Sequence, residues 1–137
     1  MEDDCIFCKI VKGDISAEFI WQDEDHIAIM DINPYARGHV MVIPKEHSRW
    51  VWDIEDEKYS KYMLAVKKTA KILGKAFDTD CVQEVIAGFG VPHTHIHLFP
   101  RTGEDGLDEI PHGPLEPKLT DVERKEIFEK IKVVAKE

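Results

Sequence analysis

Short apolar runs alternate with polar turns through the first third of the chain. Cys5-Ile6-Phe7-Cys8-Lys9-Ile10-Val11-Lys12 is a short amphipathic segment closed by Gly13. Two extended stretches follow, Glu18–Gln22 and His26–Ile32, split by the turn-prone Asp23-Glu24-Asp25. The Pro/Gly loop Asn33-Pro34-Tyr35-Ala36-Arg37-Gly38 leads into a third strand, His39–Pro44. Strands this short with such turns between them predict an antiparallel meander. Over residues 56–77 the period changes. Tyr59, Tyr62, Met63, Val66, Ala70, Leu73 and Phe77 recur at three- and four-residue steps, the mark of a long amphipathic helix. Two further strands are predicted over about 81–87 and 93–99, and residues 101–119 form a Gly/Pro-rich loop. Thr120 with Glu123 makes a capping box that opens a last helix, with Ile127, Ile131 and Val134 on one face. The expected fold class is α+β: an antiparallel meander sheet of about five strands, one long helix and a C-terminal helix.

The 137 residues fit one domain, 1–137, with no internal repeat and no linker. Hydrophobic residues make up 43% and charged residues 33%, enough apolar material for a single core. The net charge of −9 repels polyanions, and no Lys/Arg stripe reverses it locally. Nucleic acid is therefore not expected as a partner, whereas a small phosphorylated ligand in a local pocket is compatible. Met1-Glu2-Asp3-Asp4 is acidic where a signal peptide is basic, and no apolar run approaches the ~20 residues of a membrane span. A cytoplasmic protein with no membrane partner is expected. The three cysteines, an odd number, argue against a disulfide framework and for thiol or metal chemistry. Cys81, within an apolar strand pattern, is expected as a small buried hydrophobe.

The stretch richest in chemistry is Val91-Pro92-His93-Thr94-His95-Ile96-His97-Leu98-Phe99-Pro100-Arg101. Alternate side chains of a strand share a face, so His93, His95 and His97 point one way and Thr94, Ile96 and Leu98 the other. With Ile96 and Leu98 set against the helices, three imidazoles spaced roughly 6.5–7 Å apart line the opposite face. Burying three such rings without partners is costly, so they should border a cleft. Three readings of the residues compete: a His-rich polar sheet face, a metal site built from imidazoles, and nucleophilic catalysis by the central ring.

His-x-His-x-His followed by two apolar residues resembles the signature of the histidine-triad family of nucleotidyl hydrolases and transferases. Cys5-Ile6-Phe7-Cys8-Lys9-Ile10 is similar to the family's N-terminal segment, and Asp23-Glu24-Asp25 with Ala28-Ile29-Met30-Asp31-Ile32-Asn33-Pro34 to its next two strands. Gly38-His39-Val40-Met41-Val42-Ile43-Pro44-Lys45-Glu46-His47 resembles its third strand and exit. The resemblance covers residues 5 to about 101. It implies that His95 attacks the α-phosphorus of a nucleotide and carries the nucleotide as a phosphoramidate. Neutral imidazole is available at pH 7, since its unperturbed pKa is about 6.5. His97 and His39 are implied to donate hydrogen bonds to the phosphate oxygens and leaving group. Asp31 matches the ribose-binding position, where a carboxylate accepts two hydroxyls. Ile6, Phe7, Ile10, Ile29 and Ile32 resemble the apolar pocket around the base, with purine preference an expectation. Zinc-binding members of the family point to Cys5, Cys8, His47 and His93 as a closed Cys₂His₂ site for structural Zn²⁺. His93 then pins the catalytic strand to the N-terminus. The expected substrates are nucleoside phosphoramidates or related nucleotidyl compounds. The alternatives are dinucleoside polyphosphates, or nucleotide binding with little turnover.

The family's Gly-Gln-Ser/Thr segment before the triad is altered here to Ala87-Gly88-Phe89-Gly90-Val91-Pro92. Phe89 and Gly90 stand where polar side chains are expected. The backbone N–H groups of Gly88 and Gly90 are candidates to replace them as anion donors. Relatives of this subtype form twofold dimers, so a homodimer is expected, with Trp50, Trp52 and Tyr59 in the interface or the core. His26 and His112 fit no role and are expected at the surface. Selectivity for substrate is expected in the 101–119 loop.

Overall fold

The computed structural model describes residues 4–137. The elements run α1 (Ile6–Lys12), β1 (Phe19–Gln22), β2 (His26–Met30), β3 (Val40–Pro44), a 3-10 turn at Val51–Asp53, α2 (Asp56–Ala76), β4 (Val82–Val85), β5 (Ile96–Pro100) and α3 (Asp121–Ala135). All five strands pair antiparallel in one sheet, in the order β1-β2-β3-β5-β4. The α+β class and five antiparallel strands agree with the expectation from sequence, but the simple meander stops at β3. There α2 carries the chain over to the edge strand β4, and β5 returns between β4 and β3. Burial explains the swap: Ile96, Leu98 and Phe99 of β5 are almost completely covered, whereas no residue of β4 is. A half-exposed strand tolerates an edge and a largely buried one needs neighbours on both sides.

Alternation along the strands divides the apolar residues into two cores. Ala28, Met30, Val40, Val42, Ile96 and Leu98 pack with Tyr62, Val66 and Leu73 of α2 and with Ile127 and Ile131 of α3. Ile27, Ile29, Met41 and Ile43 face the other way, onto Phe7, Cys8 and Ile10 of α1. Each buried aliphatic side chain contributes roughly 1.5–3 kcal/mol. A one-residue slip of β2 or β3 would exchange the two sets, which fixes the register. Helix α1 has only seven residues and is closed by Gly13 at a φ of 88°. It therefore covers one end of its face. His97, paired with Met41 across β3 and β5, stands on that same face beyond the helix.

The buried stripe of α2 is Tyr62, Ala65, Val66, Thr69, Ile72 and Leu73. Thr69 escapes a hydrophobic pattern because it is polar, yet its hydroxyl accepts from Trp21 Nε1 and donates to the Ala65 carbonyl, both at 2.8 Å. Tyr59, placed on the apolar stripe by spacing, is exposed, and so is Trp52. The capping box of α3 forms as expected from Thr120 and Glu123. Two expectations fail. His26 is buried, because its ring donates to Asp23 and stacks on Tyr62 at 5.8 Å. Cys81 is exposed, because it falls in the turn before the edge strand and not within it. Among the described residues no helix is long and apolar enough to cross a membrane.

Candidate functional site

The regular ladder of β5 begins only at Ile96. His93 and Thr94 therefore lie on an approach segment whose backbone is held from outside the sheet. Thr94 N donates to the Ser48 carbonyl at 2.7 Å, and the Ser48 and Thr94 hydroxyls are 2.8 Å apart. This seam runs the stretch after β3 alongside the stretch before β5. It places His47 beside His93, and the picture of three imidazoles in a row on an open face is corrected. His93 is fully buried and belongs to a different group of side chains from His95 and His97.

That group is Cys5, Cys8, His47 and His93, whose donor atoms all lie within 4.8 Å of one another. His93 Nδ1 stands 3.3 Å from Cys5 Sγ, 3.5 Å from Cys8 Sγ and 3.1 Å from His47 Nδ1; His47 Nδ1 is 3.4 Å from Cys8 Sγ. Ligand bonds of ~2.0–2.3 Å in a tetrahedron put neighbouring donor atoms about 3.3–3.8 Å apart, so these spacings fit a closed metal site. The tautomer fits as well. His93 Nε2 lies 2.8 Å from the Pro44 carbonyl, which can only accept, so Nε2 carries the proton and Nδ1 offers its lone pair to the cluster. Helix α1 brings both thiols because Cys5 caps it, its Sγ accepting from Cys8 N.

His95 commits its nitrogens the other way round. Its Nδ1 lies 2.7 Å from the His93 carbonyl and must donate, which leaves Nε2 unprotonated in the neutral ring. Phe7 packs edge-on against both rings, 5.8 Å from His93 and 5.0 Å from His95. The His97 ring stands 4.9 Å from that of His95. Behind it, Tyr35 N donates to His39 Nδ1 at 3.0 Å, so His39 carries its proton on Nε2, which lies 2.9 Å from His97 Nδ1. His97 therefore accepts at Nδ1 and presents Nε2–H outward. A single backbone N–H thus sets the tautomer of two histidines in series. The expectation that His39 itself contacts phosphate is corrected: both its nitrogens are used inside the protein and it is 1% exposed.

Burial keeps these rings neutral. It holds His39 down to about 3 and His97 to about 4, with the neighbouring histidine charges adding to the effect. Burial is also the main cause of the lowered His95 pKa; Asp31 opposes it and Arg49 adds to it. Asp31 itself is pushed up by burial; its Oδ1 accepts from Asn33 N at 2.8 Å and its Oδ2 lies 3.5 Å from His39 Nε2. Asp31, Tyr35, His97 and Phe99 share a cleft of about 500 Å³ with Pro111, His112 and Pro114. The 101–119 loop thus borders the cleft that His97 lines. Arg101 organises it, pairing with Asp105 at 2.7 Å and donating to the Glu109 carbonyl at 2.8 Å.

The apolar residues proposed around a base fall into two groups. Phe7, Ile10 and Ile29 are buried in the α1 core, while Ile6 and Ile32 are 41% and 75% exposed. Ile6 and Ile32 thus present the most surface to a ligand, while Phe7, Ile10 and Ile29 also serve as core. The two glycines also differ. Gly88 has a φ of +69°, and a Cβ there would lie 2.5 Å from the Trp50 ring; a Cβ on Gly90 would meet nothing within 4 Å. His112, as expected, is exposed.

With the histidines arranged in this way, the comparison with known proteins is specific. Residues 12–104 match the HIT domain family. The chain belongs to the HIT family. It is 39% identical over 106 residues to an uncharacterized HIT-like protein of Methanocaldococcus jannaschii, covering 74% of this chain and 82% of that one. It is 37% identical over 131 residues to an adenosine 5'-monophosphoramidase of Schizosaccharomyces pombe, covering 93% and 98%. The crystal structure of a Zn-bound histidine triad family protein from Mycobacterium smegmatis superposes with a TM-score of 0.81 at 29% identity, covering 97% of this chain and 94% of that one.

Proposed function

We propose that this HIT enzyme hydrolyses nucleoside phosphoramidates or closely related nucleotidyl compounds through a covalent intermediate on His95. The observation that carries the reading is the tautomer of His95, whose Nδ1–H is spent on the His93 carbonyl so that Nε2 is a free nucleophile. In the first step a His95 Nε2–phosphorus bond forms as the phosphorus–nitrogen bond to the leaving amine breaks. His97 Nε2–H, aimed outward by His39, donates to the phosphate or the departing nitrogen as charge develops. In the second step water takes the place of His95 on phosphorus and releases the nucleoside monophosphate. Splitting one displacement into two lowers each barrier. Asp31 is proposed to hold the ribose hydroxyls, and Ile6 and Ile32 to touch the base.

The named activity of the fission-yeast relative, an adenosine 5'-monophosphoramidase, supports this substrate class. The Cys5, Cys8, His47 and His93 group is proposed to hold Zn²⁺ as a structural ion, supported by the donor spacings and by the zinc in the mycobacterial neighbour. Such an ion would tie α1 to the approach of β5, with no part in the displacement.

A nucleotide-binding protein with little turnover is the second reading, favoured by the loop 87–92, which has no side-chain hydrogen-bond donor. One experiment separates the two. The protein is mixed with adenosine 5'-phosphoramidate, quenched with acid-free denaturant and weighed intact. The expected result is an adenylyl adduct that His95→Asn abolishes together with AMP release. AMP release undiminished in that variant removes the mechanism.

A further inference from the structure

The chain has four arginines, and three of them are paired: Arg37 with Glu123, Arg101 with Asp105 and Arg124 with Glu18. Arg49 is the fourth. Among the described residues it lies within salt-bridge distance of no carboxylate, in a protein of net charge −9. It is nevertheless held firmly. Its Nη1 donates to the Gly88 carbonyl at 2.6 Å, and its guanidinium lies 4.0 Å from the Trp50 ring centroid. Trp50 in turn stacks on Trp52 at 5.2 Å and presses against the backbone of Gly88, where even a Cβ would not fit. The planar cation is fixed by one hydrogen bond and one stack, and among the described residues the rest of its donor fork is uncommitted.

Its position matters. The seam that joins Ser48 to Thr94 puts residue 49 next to the approach to His95, and the Gly88 carbonyl that Arg49 grips follows Ala87, which lines one cleft with His97. The loop it grips, Ala87-Gly88-Phe89-Gly90-Val91-Pro92, brings no polar side chain of its own. Arg49 is therefore the fixed positive charge tied to this loop.

We propose that Arg49 is a specificity-determining residue that receives an anionic group on the leaving side of the substrate, favouring leaving amines that carry a carboxylate or similar anion. The inference rests on the nucleotidyl-transfer reading above. An anion there would take the free edge of the guanidinium as a charge-assisted, two-pronged contact. The preorganised stack lowers the ordering entropy that a free arginine would lose on binding.

A matched pair of substrates tests it: adenosine 5'-phosphoramidates whose leaving amine is glycine or glycinamide, differing by one charge and little else. The quantity read is the ratio of their kcat/KM values. Wild type is expected to prefer the glycine compound. Arg49→Gln should lower that ratio roughly tenfold, and Arg49→Lys should lower it less, because a lysine keeps the charge but not the fork. In wild type the ratio should also fall as salt rises from about 0.05 to 0.5 M, a measurement that needs no variant to fold. An arginine that merely braces the loop would change both substrates alike and leave the ratio within about twofold, which overturns the proposal. A wild-type ratio of one or less overturns it too. Neither result touches the reading of His95, which fails only if neither compound gives a His95-dependent adenylyl adduct.

Discussion

His93 and His95 are two residues apart, both buried, and opposite in the nitrogen they commit. His93 donates from Nε2 to the Pro44 carbonyl and turns Nδ1 towards two thiols and a second imidazole. His95 donates from Nδ1 to the His93 carbonyl and keeps Nε2 free. One backbone oxygen in each case decides which nitrogen can act as a base, so the same side chain is set up for either of the two roles proposed above. His39 and His97 repeat the principle, since the Tyr35 N–H sets both tautomers. The chemistry of an imidazole here is written in its second hydrogen bond.

The largest effect that separates the two regions is expected from His95→Asn, which should cut kcat by at least ~10³-fold and leave the melting temperature within a few degrees. Assays of turnover and thermal melts on the same sample check both halves. Cys8→Ser should do the reverse. It removes one donor from the buried group, so bound zinc measured by elemental analysis should be lost. Stability should fall by about 2–5 kcal/mol in urea melts, with the folded fraction still forming the adenylyl adduct. Equal losses of rate and stability in both variants would erase the distinction between the regions.

His39→Leu sharpens the comparison further. Without the Nε2–H donor the tautomer of His97 is no longer enforced, and kcat should drop roughly 10- to 100-fold with little change in KM. A KM effect alone would mean that residue 39 meets substrate after all. Acid provides a fourth handle. His39 and His97 are held at about 3 and about 4 in the folded state, below the ordinary 6.5. Their contribution to stability is complete above pH 6.5 and is lost as pH falls towards 4, because the unfolded chain takes the protons first. Between pH 7 and 5 each should cost about 2 kcal/mol. A shallower pH slope in His97→Gln than in wild type, read from urea melts, is the expected result.

The smallest effects concern the glycines. Gly90→Ala should change nucleotide affinity less than about twofold, since its Cβ enters open space. Gly88→Ala should cost stability whether or not a ligand approaches, because its φ is positive and Trp50 lies against it. An affinity loss in Gly90→Ala would revive the idea of an anion seated on that backbone. Only that variant is informative about ligand contact.

Much of the fold was legible from periodicity. The short apolar runs of β2 and β3 follow from strands buried on both faces, the three- and four-residue steps of α2 from a helix that buries one, and Thr120 with Glu123 announced α3. Local patterns failed where a polar residue is satisfied inside the core. Thr69 and His26 have their hydrogen bonds supplied by residues 48 and three positions away, respectively, and the distant partner has no trace in a hydrophobic pattern. Strand order was equally out of reach, because short β4 and apolar β5 read alike until one of them has to take the edge.

The sequence by itself determined the residue types and their order: three alternating histidines, two cysteines a helical turn apart, and an acidic residue between β2 and its loop. Those follow from composition and spacing, which are properties of the chain. Only the tertiary structure decided which nitrogen of each ring is free, that His39 stands behind His97, and that Arg49 has no carboxylate partner among the described residues. Each of those depends on a partner brought from tens of residues away or on the direction of one carbonyl or N–H. Such partners and directions are fixed by packing and not by the pattern of residues along the strand.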